Sequence, residues 1–231
     1  MAESPKVALF IHGAGGGGWE WKLCIPVFER AGWQCLAPDL QPALSGISTT
    51  HLTDYLEQTR RWAYEAGPSP VVIVGASMGG LLALKASETI STSAVVLVNS
   101  VPPAGIKNPT QQSFPPIIEW SQGTLEDSEM AMPDSDDGIV ELAYQSWRDE
   151  SGAVLNEIRQ GVEVEWPNSP VLVIAGEDDE DVPALVARSI AARWPAELRI
   201  YEEMGHLSPL LGRAAPGVAQ DVLHWLEKSV R

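Results

Sequence analysis

The sequence predicts an α/β fold: a mostly parallel central sheet with helices on both faces and a small inserted cap. Three observations predict it. Short apolar runs alternate with stretches of helical period over the first hundred residues and again after residue 168. The runs are apolar throughout rather than alternating, as strands buried on both faces require. Between the two halves, over residues 102–168, the texture changes to Pro, Asp, Glu and scattered Trp, and the alternation stops.

Taken in order, Val7 to Ile11 is the first strand. A glycine-rich turn, Gly13 to Gly18, follows it, then a helix from about Trp21 to Ala31 that Gly32 ends as a C′ residue. Gln34 to Ala37 is the next strand. Thr50 to Ala66 places Leu52, Tyr55, Leu56, Thr59 and Trp62 on one helical face, and the Pro68 to Pro70 segment breaks it. Val71 to Val74 is a strand, Met78 to Glu88 a helix and Ala94 to Val98 a strand. In the interruption, Thr124 to Asp137 carries six acids and no base and reads as an exposed loop or fraying helix end, while Glu141 to Trp147 and Ala153 to Val162 read as helices. The alternation then resumes with a strand at Val171 to Ala175, a helix at Pro183 to Trp194, a strand at Leu198 to Tyr201 and a closing amphipathic helix at Pro216 to Val230. The organisation expected is a core of residues 1–101 and 169–231, with 102–168 as an acidic, mainly helical cap over the carboxyl ends of the strands, where open α/β sheets bind ligands.

Composition narrows the function. The 231 residues hold 15 Lys and Arg against 31 Asp and Glu, a net charge of −16, and residues 102–168 contribute 13 acids against three bases. Such acidity argues against nucleic acid and against an anionic membrane surface. No apolar stretch of spanning length is present, and the start of the chain lacks the pattern of a secretory signal. Cys24 and Cys35 are too few for a disulfide framework or a cysteine zinc site, and read as free, buried thiols. The expectation is a cytoplasmic protein that acts on a small molecule, without metal or organic cofactor. Nothing in the pattern specifies an oligomer.

Gly13, Gly15 and Gly18 have the G-x-G-x-x-G spacing of a dinucleotide site, with Asp39 placed for a ribose. A short-chain dehydrogenase would also need Tyr and Lys four residues apart. The residues four beyond Tyr55, Tyr64, Tyr144 and Tyr201 are Thr59, Pro68, Arg148 and Gly205.

The second motif gives the glycines another use. Val71-Val-Ile-Val-Gly75-Ala-Ser77-Met-Gly79-Gly80 reads as strand, tight turn and helix. Glycines two residues either side of Ser77 let the chain reverse sharply, with the serine strained and exposed at a helix N-terminus. The N–H of Met78 and the helix dipole favour an oxyanion there. A nucleophilic serine needs a base and an orienting acid. His12, His51 and His224 lie at a strand end, a helix start and inside a helix, whereas His206 stands in a loop after the last strand. Glu177, Asp178, Asp179 and Asp181 compete as the acid after Val171 to Ala175, in the chain order Ser, Asp, His.

With His12-Gly13, Gly75-Ala-Ser77-Met-Gly79, the turn from Gly176 to Pro183 and Gly205-His206 in view, the chain resembles α/β-hydrolase fold enzymes over nearly its whole length. That resemblance implies Asp179 as the acid, from the pattern Gly-x-x-Asp-x-x-Val-Pro, and Ala14 and Met78 as oxyanion-hole donors. The stretch from His12 to Trp19, with Trp21-Lys22, Pro26, Ala31-Gly32 and Asp39-Leu40, is similar to the small esterases that include plant methylesterases and hydroxynitrile lyases. Those lyases carry Lys directly after the catalytic His. Here the place is Leu207, which disfavours lyase chemistry of that kind. Gly15 to Gly18 are then expected to keep side chains away from the acyl group. Gly13, Gly15, Trp120, Trp147 and Leu207 are candidates for the pocket wall, and Trp166 is weighed beside them. The implied reaction is hydrolysis of a small, neutral or apolar carboxylic ester through an acyl-enzyme. The same triad serves thioesters, lactones and cyclising acyl transfers, and some relatives act as receptors with slow triads.

Overall fold

The computed structural model describes residues 6–67, 69–107 and 113–230. The first half contributes β1 (Lys6–Ile11), α1 (Ile25–Arg30), β2 (Trp33–Leu36), α2 (Leu52–Glu65), β3 (Val71–Ala76), α3 (Met78–Ser87) and β4 (Thr92–Val98). The stretch expected as a cap holds β5 (Ile117–Ile118), α4 (Leu125–Ala131), α5 (Asp137–Ser146), β6 (Glu150–Ser151) and α6 (Gly152–Gln160). The chain closes with β7 (Val171–Gly176), α7 (Ala184–Arg193), β8 (Glu197–Tyr201), α8 (Ser208–Leu211) and α9 (Ala215–Ser229).

Six strands form one sheet in the order β2-β1-β3-β4-β7-β8, and every pairing is parallel. The uniformly apolar runs now have their reason. Ala8 and Phe10, Val72 and Val74, Ala94 and Val96, Leu172 and Ile174 point to one face, against α1 and α9. Leu9 and Ile11, Val71 and Ile73, Val95 and Leu97, Val171 and Val173 point to the other, against α2, α3 and α7. With helices on both faces, the buried middle positions of the central strands are apolar on both sides, and polar residues keep to strand ends and the edge strands β2 and β8. Phe10 anchors the first layer, its ring centroid 5.1 Å from those of both Trp21 and Phe28. Deleting such a side chain costs about 3–5 kcal/mol. Among the described residues no helix is long and apolar enough to cross a membrane.

Several features differ from the sequence reading. The helix expected from Trp21 to Ala31 is split: Gly18–Trp21 forms a 3₁₀ turn and α1 begins only at Ile25. Pro26 is the cause, since a proline without N–H fits the first turn of a helix but not its interior. Of the acidic run from Thr124 to Asp137, expected as an exposed loop or fraying helix end, Leu125–Ala131 forms the full helix α4 and α5 begins at Asp137. The N–H of Asp127 donates to Thr124 Oγ1 at 3.2 Å, and the N–H of Thr124 donates to Asp127 Oδ2 at 2.7 Å. This capping box starts α4, and acids in its first turn favour the helix dipole. The cysteines are free, but only Cys24 is buried; Cys35 is half-buried. Of the Pro68 to Pro70 break, Pro68 lies outside the described residues.

The sheet order reverses between β1 and β3, so the loops after those two strands face each other across a crevice at the carboxyl edge. His12 to Gly18 leave from β1 and Ser77 leaves from β3, with the cap above them.

Candidate active site

Ser77 turns the chain from β3 into α3 with φ 51° and ψ −118°, a left-handed region that serine rarely occupies. The neighbours dictate it. A Cβ on Gly75 would collide with the backbone of Gly79, and a Cβ on Gly79 would collide with the carbonyl of Ile11. The turn is held from outside as well. Ser77 N–H donates to Val98 O at 3.0 Å, and Ser77 O accepts from Val101 N–H at 3.2 Å.

His206 leaves β8 in the loop before α8, and its Nδ1 lies 2.8 Å from Asp179 Oδ2. Asp179 is buried, and its other oxygen accepts the N–H groups of Asp181 and Val182 at 2.9 and 2.8 Å. The carboxylate is thus fixed as an acceptor, so Nδ1 of His206 carries the proton and Nε2 is the basic nitrogen. Burial lowers the His206 pKa. The hydrogen bond and charge of Asp179 raise it, with smaller contributions from the charges of Asp181 and Glu20, and the net shift is upward. Asp179, Asp181 and His206 offer ligand atoms within 4.8 Å of one another. Both Asp179 oxygens are, however, already engaged by protein donors.

Ser77, Met78, Gly13, Ala14, His206 and Leu207 border a cavity of about 1190 Å³, which Trp120 and Trp147 close from the cap side. Asp179 stands behind His206. Gly15 has φ +68° and lies under the Trp120 ring, so it belongs to the loop's scaffold. Of the competing acids, Glu177 pairs with Arg188 at the surface. Trp166 stacks on Trp194, centroids 4.8 Å apart, and that contact is its role rather than the pocket.

The glycine loop also corrects its sequence reading. The missing side chains make room for the protein's own atoms more than for an acyl group. A Cβ on Gly16 would meet the Glu20 carboxylate, and a Cβ on Gly18 would meet Ala37 O. Asp39 accepts Gly18 N–H at 2.7 Å, a turn-stabilising role rather than a ribose contact. His12 is buried; its Nδ1 bonds Gly13 O at 2.7 Å and its Nε2 accepts Leu40 N–H at 2.9 Å. Burial pushes its pKa down to about 4, so it stays neutral and structural.

Four residues that sequence reasoning passed over build the surroundings. Asn99, at φ 44° after β4, donates to His206 O at 2.7 Å and Gly205 O at 3.2 Å while accepting Gly176 N–H at 2.8 Å. It ties the histidine loop to the end of β7. From the cap, Arg148 N–H donates to Gly15 O at 2.9 Å, and its side chain donates to Gly16 O at 2.8 Å and Leu40 O at 3.0 Å. Glu150 accepts Gly15 N–H at 3.0 Å and is held by Tyr55 Oη–H at 2.7 Å. Glu20 accepts Gly13 N–H at 3.0 Å, and burial pushes its carboxyl up to about 7. The one local signal was a charge between two tryptophans, Trp19-Glu20-Trp21.

Comparison with known proteins gives a consistent picture. The model of the "Alpha/beta hydrolase family" matches residues 8–220. Norfluorocurarine synthase 1 of Strychnos nux-vomica is 32% identical over 130 residues, which cover 52% of this chain and 47% of that protein. The chain thus spans about half the length of the curated relatives it matches. Among solved structures, a methylesterase from Arabidopsis superposes with a TM-score of 0.77 at 18% identity, covering 96% of this chain and 99% of that one. Tomato methylketone synthase I, solved with 2-tridecanone, gives 0.79 at 16% identity over 98% and 100% of the chains. Polyneuridine aldehyde esterase gives 0.72 at 18% identity over 95% and 100%. At these identities the likeness is one of fold.

Proposed function

The chain belongs to the alpha/beta hydrolase family, and from that premise we propose that it cleaves a small, largely apolar carboxylic ester with Ser77 as nucleophile, His206 as base and Asp179 as orienting acid. His206 Nε2 takes the Ser77 hydroxyl proton as the oxygen attacks the carbonyl carbon. Asp179 holds the Nδ1–H tautomer and stabilises the imidazolium. The N–H groups of Ala14 and Met78 receive the oxyanion. His206 returns its proton to the departing alcohol, and an acyl-enzyme remains. Water then adds to the acyl carbon while giving a proton to His206, and His206 passes it to Ser77 Oγ as the C–O bond to serine breaks and the acid leaves. The reading needs neither metal nor organic cofactor, and its partner is a small molecule rather than nucleic acid or membrane. Two free thiols agree with a cytoplasmic setting.

One observation carries the proposal. A serine forced to positive φ at the head of α3 borders the same cavity as a histidine already bonded to a buried aspartate. The test is labelling with a fluorophosphonate probe, followed by turnover of p-nitrophenyl esters of rising chain length. The wild type should label at Ser77 and turn over. Ser77→Ala should lose labelling and at least about three orders of magnitude in kcat, with its fold intact. Full activity in Ser77→Ala would overturn the assignment.

A further inference from the structure

Glu20 has no task in the reaction just described, yet it borders the same cavity. Its side chain is buried at 2% exposure, on the 3₁₀ turn after the glycine loop. Gly13 marks how near it stands to the nucleophile. A Cβ there would lie 3.3 Å from Ser77 Cβ and 3.8 Å from Glu20 Oε2, so carboxylate and serine flank one small gap. Among the described residues the carboxylate has no ion-pair partner. The charges of His206 and Arg148 reach it, but their hydrogen bonds go elsewhere, Arg148 to Gly16 O and Leu40 O and His206 to Asp179.

An isolated buried carboxylate is costly, and accepting a single N–H does not require one. A glutamine would accept the Gly13 N–H without the charge. The loop has also given up a side chain at Gly16 to make room for it. What only the glutamate can supply is a negative charge beside Ser77, carried above about pH 7 in the unliganded protein and favoured by any cation placed against it, facing a space that a ligand fills. The rest of the wall favours the same ligand. Besides Glu20, the acids Glu119, Asp127 and Asp181 stand on it against Lys107, Arg159 and His206, and Trp120 and Trp147 line it.

We propose that Glu20 is the recognition point for a protonated amine carried close to the scissile carbonyl, so that the preferred substrate is an amino ester rather than a plain alkyl ester. The ammonium supplies the counter-charge that the carboxylate lacks, in a place where water competes poorly. The inference rests on the ester-hydrolase reading for its carbonyl, but its test does not require turnover.

Binding is measured by calorimetry on Ser77→Ala near neutral pH, with leucine methyl ester and with methyl 4-methylpentanoate, which has the same skeleton without the amine. The amino ester should bind at least about tenfold tighter. Adding Glu20→Gln, which keeps an acceptor for Gly13 N–H, should bring that ratio close to one. Equal binding of the two esters to Ser77→Ala, or a preference that survives Glu20→Gln, would overturn the inference. Amine preference in a protein that never turns over an ester would overturn the hydrolase reading alone. Ester turnover without amine preference would overturn this one alone.

Discussion

Glu20 and Asp179 are two buried carboxyls at one site with different hydrogen-bond surroundings. Asp179 accepts three hydrogen bonds and remains an acceptor for the imidazole. Glu20 accepts one and holds its proton up to about pH 7. Its effect on stability follows from that difference. The unfolded chain releases this proton near the ordinary glutamate value of 4.5, and the folded chain holds it to about 7. Folding therefore binds the extra proton between those values, and the wild type loses stability as pH rises through them. Glu20→Gln should thus be more stable than wild type at about pH 8, by on the order of 3 kcal/mol, with the gap shrinking toward pH 5. Urea unfolding at both pH values measures it, and a gap that widens toward acid would contradict the assignment. For Asp179 the readout is kinetic. Asp179→Asn removes the partner that raises the His206 pKa and fixes its tautomer. It should lower kcat by about 10²–10⁴-fold. The acid limb of the pH–rate profile should also move to lower pH, because a less basic imidazole stays neutral further into acid. A limb that stays in place would separate Asp179 from the base.

At the scale of elements, the cap reaches into the loop after β1. The segment from Trp147 to Ser151 joins α5 to α6, and within it Arg148 and Glu150 bond the carbonyls of Gly15 and Gly16 and the N–H of Gly15. That loop carries Ala14, the proposed oxyanion donor. Arg148→Gln should lower kcat on a p-nitrophenyl ester about tenfold or more with a smaller change in KM, since a donor displaced by a fraction of an ångström weakens the transition state most. Arg148→Lys should not restore it, because a single ammonium cannot reproduce the planar fork that spans Gly16 O and Leu40 O. Equal kcat in all three proteins would show that the loop holds its shape without the cap. The sequence concealed this link because Gly15 and Glu150 are 135 positions apart. The same holds for Asn99, which acts on a loop 107 residues away.

Across the whole molecule, legibility followed the range of the interaction. The sheet could be read because burial on both faces leaves each strand a continuous apolar run, and Val71 to Val74 or Val171 to Ala175 allow no other reading. The strained turn at Ser77 could be read because the glycines that permit it lie two residues to either side. The capping box of α4 was equally local, but the charge of its acids masked it. Where a glycine served a distant partner, as Gly15 serves Trp120, the local pattern named the residue and mistook its reason.

The bonds from Arg148 and Glu150 also bear on how such proteins can be rebuilt. Grafting a foreign cap onto this core to change selectivity would treat the two parts as interchangeable modules. Here a chimera would exchange the roof of the pocket and cut the guy-lines of its floor in the same stroke. A donor cap that lacks an arginine and a carboxylate at that spacing would deliver a new pocket over a slackened loop, and weak activity in such a hybrid would reflect the missing tethers rather than the new walls.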